Sequence, residues 1–187
     1  MCHVGFVDAD QPFVIPTAFA RMGEQLVIHG SAASRMLKAL AEGAPACVTV
    51  TILDGLVLAR STFHHSMNYR SVVVLGRASE LVGRDEKLRA LDAIVEHIVP
   101  GRAAHVRGPS ENELRATRVF AFPLDEASAK VRSGPPKDDE PDYALPAWAG
   151  ELPLRLTPQA PLADPLLATG LAVPAHVSGW RRGGRNG

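Results

Sequence analysis

The order of the predicted elements constrains the fold more than any other feature of the chain. Extended, apolar or β-branched segments fill most of the first 78 residues, at positions 1–7, 12–20, 25–29, 46–53, 56–61 and 71–78. Parallel strands need a long crossover between each pair, and most of these connections are too short for one. The sequence therefore predicts an antiparallel sheet that closes into a barrel and hides most of its strand edges.

Two segments have the apolar spacing of amphipathic helices. Residues 31–42 form the first and end at Gly43, and residues 85–98 form the second. Ser110 and Glu113 have the spacing of a capping box, which predicts a third, short helix after Ser110. We expect these helices to pack against the barrel, with the first of them closing a gap between strands.

Three local patterns give further expectations. The dipeptide Asp54-Gly55 fits a type I′ turn, so the strands on either side of it are predicted to form a hairpin. Pro16 cannot donate a hydrogen bond to a strand ladder, which predicts an edge position for its strand. Residues 127–132 are predicted to form a last helical turn.

The overall charge and the cysteines limit the classes of function. The 187 residues have a formal net charge of zero, so the chain lacks the basicity that indicates nucleic acid or an anionic membrane as its main partner. Cys2 and Cys47 lie in apolar runs without CxxC spacing, which predicts free thiols in a reducing cytoplasm.

The composition changes at residue 134, where prolines become frequent. We predict a barrel domain over residues 1–133, followed by an extended, proline-rich arm over residues 134–156 that packs on the domain or on a partner subunit. Residues 157–187, which include Arg181-Arg182-Gly183-Gly184-Arg185, are predicted to be a disordered tail.

The strand predicted at residues 25–29 runs through Gly30 into a helix that opens with Ser31, Ser34 and Arg35. The first N–H groups of a helix have no partner within the helix and carry a partial positive charge, so this turn has the donors of a phosphate site. The alternative is that Ser31 only caps a structural helix, which is the commoner use of a serine there.

Several segments, in order along the chain, resemble the flavin-binding split-barrel proteins. They are the first strand, Pro-Phe-Val-Ile-Pro-Thr at 12–17, the strand ending at His29-Gly30, the Ser34-Arg35 turn, and Asn68-Tyr69-Arg70-Ser71 before a valine-rich strand. The resemblance is to the pyridoxamine 5′-phosphate oxidase-related, flavin-nucleotide-binding branch, which includes nitroimidazole-resistance reductases. It covers about residues 2–156 and implies a mainly β fold, a six-stranded antiparallel FMN-binding split barrel with flanking α-helices.

The resemblance also implies FMN in a groove between the two subunits of a homodimer. By position, the edge of the isoalloxazine ring would lie along Val14, Ile15, Pro16 and Thr17. The ribityl phosphate would lie beside His29 and Gly30, and its donors would be Ser31, Ser34 and Arg35. Pyridoxamine 5′-phosphate oxidase itself has a lysine directly after the arginine of this turn, where this chain has Met36. One phosphate donor is therefore missing, and Met36→Lys is expected to tighten FMN binding.

Two further polar segments are candidates for contact with the flavin. Tyr69, Arg70 and Ser71 would bring Arg70 to the flavin or its phosphate across the dimer, unless Arg70 is only a surface cation. His64 and His65 either supply a proton donor beside the flavin or lie in a solvated loop. No metal site is expected, because adjacent histidines on a strand point to opposite faces and no carboxylate or cysteine lies at ligand spacing nearby.

Three functions follow from these residues and from the resemblance. The first is an FMN-dependent oxidoreductase that takes electrons from a nicotinamide nucleotide and passes them to a small organic acceptor, with His64 or His65 as the proton donor. The second is a flavin-binding module without turnover. The third is a split barrel that binds haem or another tetrapyrrole, with His65 as an axial ligand.

Overall fold

The computed structural model describes residues 1–181. Within them the chain forms two antiparallel sheets and four α-helices. The strands are β1 (Cys2–Asp8), β2 (Gln11–Thr17), β3 (Phe19–Met22), β4 (Gln25–Ser31), β5 (Ala46–Leu58), β6 (Ser66–Gly76), β7 (Ser79–Glu80), β8 (Thr117–Pro123), β9 (Ala127–Arg132) and β10 (Gly150–Pro153). The helices are α1 (Arg35–Ala41), α2 (Arg84–Ile98), α3 (Glu111–Ala116) and α4 (Ala175–Ser178).

The larger sheet has six strands, in the order β2-β1-β5-β6-β9, and β10 pairs with the second half of β5. The smaller sheet has the order β3-β4-β8-β7. This arrangement confirms the predicted mainly β split barrel with flanking helices. It also confirms the edge position of Pro16, because β2 pairs on one side only, with β1.

The core lies between the two sheets and α1. Phe120 and Phe122 of β8 point into it and pack with Ile28 and with Leu37 of α1. The intervening residues of β8 point the other way and form a second buried cluster with Ile94 of α2. Because α2 covers the outer face of the smaller sheet, β8 is apolar on both faces instead of alternating with polar residues.

The predicted hairpin at Asp54-Gly55 is wrong. Strand β5 continues through both residues for 13 residues, with a register shift between Leu53 and Gly55. A type I′ turn requires a positive φ at both central residues, and neither of them has one. The Asp-Gly pair instead marks a bulge, where the arm approaches so closely that a Cβ at Gly55 would lie 3.0 Å from the carbonyl oxygen of Leu152.

Three other boundaries differ from the sequence predictions. Residues 127–132 form strand β9 and not a helical turn, because they pair with the outer edge of β6. The segment 12–20 is divided between β2 and β3, which belong to different sheets. Helix α1 begins at Arg35 and not at Ser31, since Ser31 still pairs with Thr117 of β8.

The predicted helix at 85–98 is confirmed by α2, and the capping box is confirmed at the start of α3. The hydroxyl of Ser110 accepts a hydrogen bond from the N–H of Glu113 at 3.3 Å. The carboxylate of Glu113 accepts one from the N–H of Ser110 at 2.7 Å.

The chain beyond β9 crosses the surface of the barrel. Asp138 pairs with Arg60, β10 joins the larger sheet, and Trp180 Nε1 donates to the carbonyl oxygen of Ile98 at 2.9 Å. The division into barrel, arm and tail at residues 133 and 156 remains a prediction. The tail residues 182–187 lie outside the described part of the chain.

Candidate functional site

The turn between β4 and α1 holds the predicted phosphate donors. The hydroxyl of Ser31 accepts a hydrogen bond from the N–H of Ala33 at 3.2 Å. Ser34 occupies the N-cap position of α1, and its side chain makes no capping hydrogen bond among the described residues. The hydroxyl of Ser34 therefore remains able to donate to a bound group.

Arg35 extends from this turn to the edge of the larger sheet. Its guanidinium carbon lies 4.8 Å from the ring centroid of Phe13, and its Nε lies 3.7 Å from a carboxylate oxygen of Asp8. Ile15 follows on the same face of β2, since Phe13 and Ile15 pair with the core residues of β1. The structure thus brings the arginine of the turn to the strand that is predicted to carry the flavin ring.

A polar cavity of about 410 Å³ opens beside Arg35, and Lys38 lines it from the next turn of α1. Met36, in contrast, is buried in the core at 5% exposure. The burial of Met36 argues against the expectation that Met36→Lys would restore a phosphate donor, because a lysine there would enter the core. Lys38 is the cation that the structure places next to Arg35.

His29 and Gly30 face opposite sides of the smaller sheet. Gly30 faces α1, and a Cβ there would lie 3.1 Å from Cδ1 of Leu37. His29 pairs with Val119, a member of the cluster beneath α2, and its Nδ1 is buried without a hydrogen-bond partner among the described residues. Desolvation lowers the pKa of His29, so the imidazole is neutral at pH 7.

The residues Val14, Ile15, Pro16 and Thr17 all lie on β2. The outer edge of this strand has no pairing strand among the described residues, so its backbone N–H and C=O groups remain available to a ligand. Val14 is 66% exposed on the outer face of the sheet. Its cross-strand neighbours on that face are Gly5, Cys47 and Leu75, which make the surface apolar.

Tyr69, Arg70 and Ser71 lie on β6, and strands β1 and β5 separate them from β2. Arg70 donates two hydrogen bonds of 2.9 Å to the carboxylate of Asp54 on β5. One protomer therefore does not bring Arg70 to the predicted phosphate donors. Its predicted contact with the flavin across a dimer remains a prediction.

His64 and His65 lie beyond the end of β5 that is farthest from Arg35. Cys47 marks the Arg35 end and Leu58 the histidine end, about 35 Å apart at the usual rise per residue of a strand. Nε2 of His64 lies 3.3 Å from a carboxylate oxygen of Asp139. Within one protomer, neither histidine lies near the predicted phosphate donors.

His65 is oriented by the carbonyl oxygen of Ser61, which lies 2.8 Å from its Nδ1. A carbonyl oxygen only accepts, so Nδ1 carries the proton and the Nε2 of the neutral ring keeps a free lone pair. Metal-ligating histidines commonly have this arrangement, in which the second nitrogen donates to a carbonyl. The exposed side of His65 can therefore ligate an iron ion.

Leu56, Met67, Trp148 and Leu152 form an apolar patch, and Met67 follows His65 by two residues. Met67, Leu56 and Leu152 are cross-strand neighbours on β6, β5 and β10, so they share one outer face of the sheet. The indole of Trp148 packs over Gly150 on that face and is 72% exposed. Sequence reasoning missed this patch because it placed Leu56 in a hairpin and did not predict β10.

Two sheets around one core, with a strand-turn-helix beside an open edge strand, define a split barrel. Residues 1–131 match the family model described as pyridoxamine 5′-phosphate oxidase, and the chain belongs to this family. A search of curated proteins found no match. No helix in the described residues is both long and apolar enough to span a membrane.

Two solved structures resemble nearly the whole chain. One is the FAD and heme binding protein from Mycobacterium smegmatis, with 42% identity and a TM-score of 0.90 over 95% of this chain and 87% of that chain. The other is the flavocytochrome Anf3 from Azotobacter vinelandii, with 41% identity and a TM-score of 0.90 over 96% of this chain and 84% of that chain.

A third solved structure supports the fold alone. It is a putative 5-nitroimidazole antibiotic resistance protein from Bacteroides thetaiotaomicron, with 24% identity and a TM-score of 0.57. The match covers 68% of this chain and 74% of that chain.

Proposed function

We propose that this chain is a redox protein that binds a flavin and a haem. The observation that carries the proposal is the likeness to the Mycobacterium smegmatis protein, which extends over 95% of the chain at 42% identity. That protein is named for both FAD and haem, and the second close structure is named a flavocytochrome. We propose a separate set of residues in this chain for each cofactor.

The flavin is proposed to lie along β2, with its phosphate at the turn before α1. Ser34 and Arg35 would hold the phosphate, and Lys38 adds a second cation to the same cavity. We propose FAD in place of the FMN predicted from the sequence, because a protein with 42% identity is named for FAD. FAD is larger than FMN, and its additional nucleotide could contact the unpaired edge of β2.

The site is proposed to be completed in a cytoplasmic homodimer. The outer face of the larger sheet presents an apolar row of Val14, Cys47 and Leu75, and a cavity of about 570 Å³ opens on the same residues. A second copy covering this row would remove it from water and close the groove along β2. In such a dimer, Arg70 of one subunit is proposed to contact the flavin bound by the other subunit.

The haem is proposed to bind at the apolar patch, with His65 as an axial ligand. A flat, apolar macrocycle fits a surface built from Leu56, Met67, Trp148 and Leu152. Nε2 of His65 has the free lone pair that iron requires. Such a pair of cofactors supplies two-electron exchange at the flavin and one-electron exchange at the iron.

The first test is the absorbance spectrum of the purified protein, followed by acid extraction and chromatography of the released flavin. We expect flavin bands and a Soret band together, and FAD in the extract. FMN in the extract would overturn the choice of FAD only. A colourless protein that takes up neither added FAD nor added haemin would overturn the proposed function.

The haem ligand is tested with His65→Ala and a matched control, His105→Ala. His105 makes the same Nδ1 contact to a backbone carbonyl, at 2.8 Å from the oxygen of Gly101, and lies away from the patch. We expect His65→Ala to shift or abolish the Soret band and His105→Ala to leave it unchanged. An unchanged band in His65→Ala would exclude His65 as the ligand.

A further inference from the structure

We propose that His64, Asp139 and Asp142 form a binding site for a divalent first-row transition metal ion, which shares no ligand with the proposed flavin and haem sites although His64 directly precedes His65. One ligand atom of each residue lies within 4.8 Å of the other two. Nε2 of His64 is 3.3 Å from Oδ2 of Asp139, which is close to the separation of two ligand atoms on one metal ion. A metal of this kind needs only small side-chain movements to bind all three.

Two short 3₁₀ turns place these ligands. His64 ends the turn Thr62–His64, and the second turn, Glu140–Ala144, follows Asp139 directly. The N–H of Asp142 donates to the carbonyl oxygen of Asp139 at 2.9 Å. Side chains three residues apart eclipse each other in a 3₁₀ turn, so both carboxylates project from the same side of the arm.

The neighbouring Asp138 fixes the arm against the barrel without joining the cluster. Its side chain is fully buried and accepts two hydrogen bonds of 2.9 Å from the N–H and guanidinium of Arg60. Arg60 also lies over the ring of Tyr143, at 5.1 Å. These contacts on both sides of Asp139 hold the carboxylates opposite His64 before any ion binds, which lowers the cost of assembling the site.

The donor set indicates the class of ion. One neutral imidazole and two carboxylates carry a net charge of −2 and leave coordination positions for water. Imidazole nitrogen favours zinc, nickel, cobalt or copper over magnesium and calcium, which prefer oxygen ligands alone. Zn²⁺ and Co²⁺ are therefore the appropriate probes, and Mg²⁺ is the negative control.

The competing interpretation is a simple ion pair between protonated His64 and Asp139. Asp142 separates the two interpretations, because the ion pair between His64 and Asp139 does not include it. Zn²⁺ binding is measured by isothermal titration calorimetry on the untagged, chelator-treated full chain with its own cofactors bound. The variants are Asp142→Asn, Asp139→Asn and His64→Gln, with Asp92→Asn on the exposed side of α2 as the matched control.

We expect one Zn²⁺ per chain, no heat with Mg²⁺, and at least a tenfold loss of affinity in each cluster variant but not in Asp92→Asn. Asp139 is exposed, so its variant remains informative if another fails to fold. Absence of Zn²⁺ binding by the parent, or parental affinity in Asp142→Asn, would overturn the proposal. The flavin and Soret bands, recorded on the parent and on the Asp139→Asn and Asp142→Asn samples, report separately on the proposed function.

Discussion

Gly30 of β4 lies directly beneath Leu37 of α1, and a Cβ added to Gly30 would stand 3.1 Å from Cδ1 of that leucine. This contact sets how closely α1 approaches the smaller sheet. Leu37 is fully buried, so its side chain cannot move aside without disturbing the core. The absence of a side chain at Gly30 therefore allows α1 to pack closely on β4.

Gly30→Ala is expected to lower the free energy of unfolding by about 1–2 kcal/mol through overpacking. Gly5→Ala is the matched control, because a Cβ at Gly5 meets its nearest atom at an ordinary 3.6 Å. Urea unfolding of both variants measures the difference. Equal stability of the two would show that α1 adjusts freely over β4.

Arg35→Ala and Lys38→Ala are each expected to weaken flavin binding by about tenfold, because each removes a charged hydrogen-bond donor from the same cavity. Fluorescence titration of the flavin-depleted protein measures the dissociation constant. Arg21→Ala, at an exposed ion pair with Glu24, is the control that should bind as the parent does. Unchanged affinity in both cavity variants would place the phosphate elsewhere.

Met36→Lys is expected to destabilise the protein by more than about 3 kcal/mol, since the new ammonium group would be buried among apolar side chains. Thermal unfolding of this variant beside Met36→Leu, which keeps the volume and the apolar character, tests the assignment. Tighter flavin binding with no loss of stability would restore the sequence-based expectation.

The partly buried imidazole of His29 is expected to make the folded protein less stable in acid. Desolvation lowers the pKa of the folded-state imidazole below its ordinary value of 6.5, so the unfolded chain binds the proton more readily. Stability is therefore complete above about pH 6.5 and falls as the pH drops through and below that value. His97, whose pKa burial also lowers, adds to the same trend.

The contribution of His29 is measured by urea unfolding of the parent and of His29→Gln at pH 7.5 and 5.5. We expect a smaller difference between the two pH values in the variant. An identical difference in both proteins would assign the acid sensitivity to other groups.

The side chain of Asn68 connects the barrel to the arm, so a variant at Asn68 tests how strongly the two are held together. This buried amide of β6 donates to Glu151 of β10 and accepts from Arg132 of β9. Asn68→Ala removes both of these hydrogen bonds to charged side chains and is expected to cost about 2 kcal/mol. Amide hydrogen exchange of residues 150–153 is expected to become faster in the variant, whereas β8 should stay protected. Unchanged exchange in β10 would show that its backbone pairing with β5 is enough to hold the arm in place.

The sequence was informative where the signal is local. Apolar spacing predicted α2 to within one residue, and the reciprocal bonds of Ser110 and Glu113 follow from two positions three residues apart. The strand-turn-helix around Arg35 was also predicted, although its start shifted because Ser31 remains in the ladder with β8. Each of these features depends on neighbours within a few positions.

The remaining differences depend on contacts between distant parts of the chain. Asp54-Gly55 became a bulge because β10 returns to pair with β5, and nothing near residue 54 indicates that return. Asp139 lies near His64 where the neighbouring Asp138 pairs with Arg60, 78 positions earlier in the chain. Spacing along the sequence, which argued against ligands near His64, carries no information about such approaches.

Strand β10 extends the larger sheet along the second half of β5. The family model stops at residue 131, whereas Trp148, Leu152, Asp139 and Asp142 all come from the chain that follows it. The apolar patch and the His64 cluster are thus built partly from residues beyond the family model, whereas β2 and the turn before α1 lie within it. Among related barrels, the chemistry of the patch and the cluster should be inherited with the extension and lost with it.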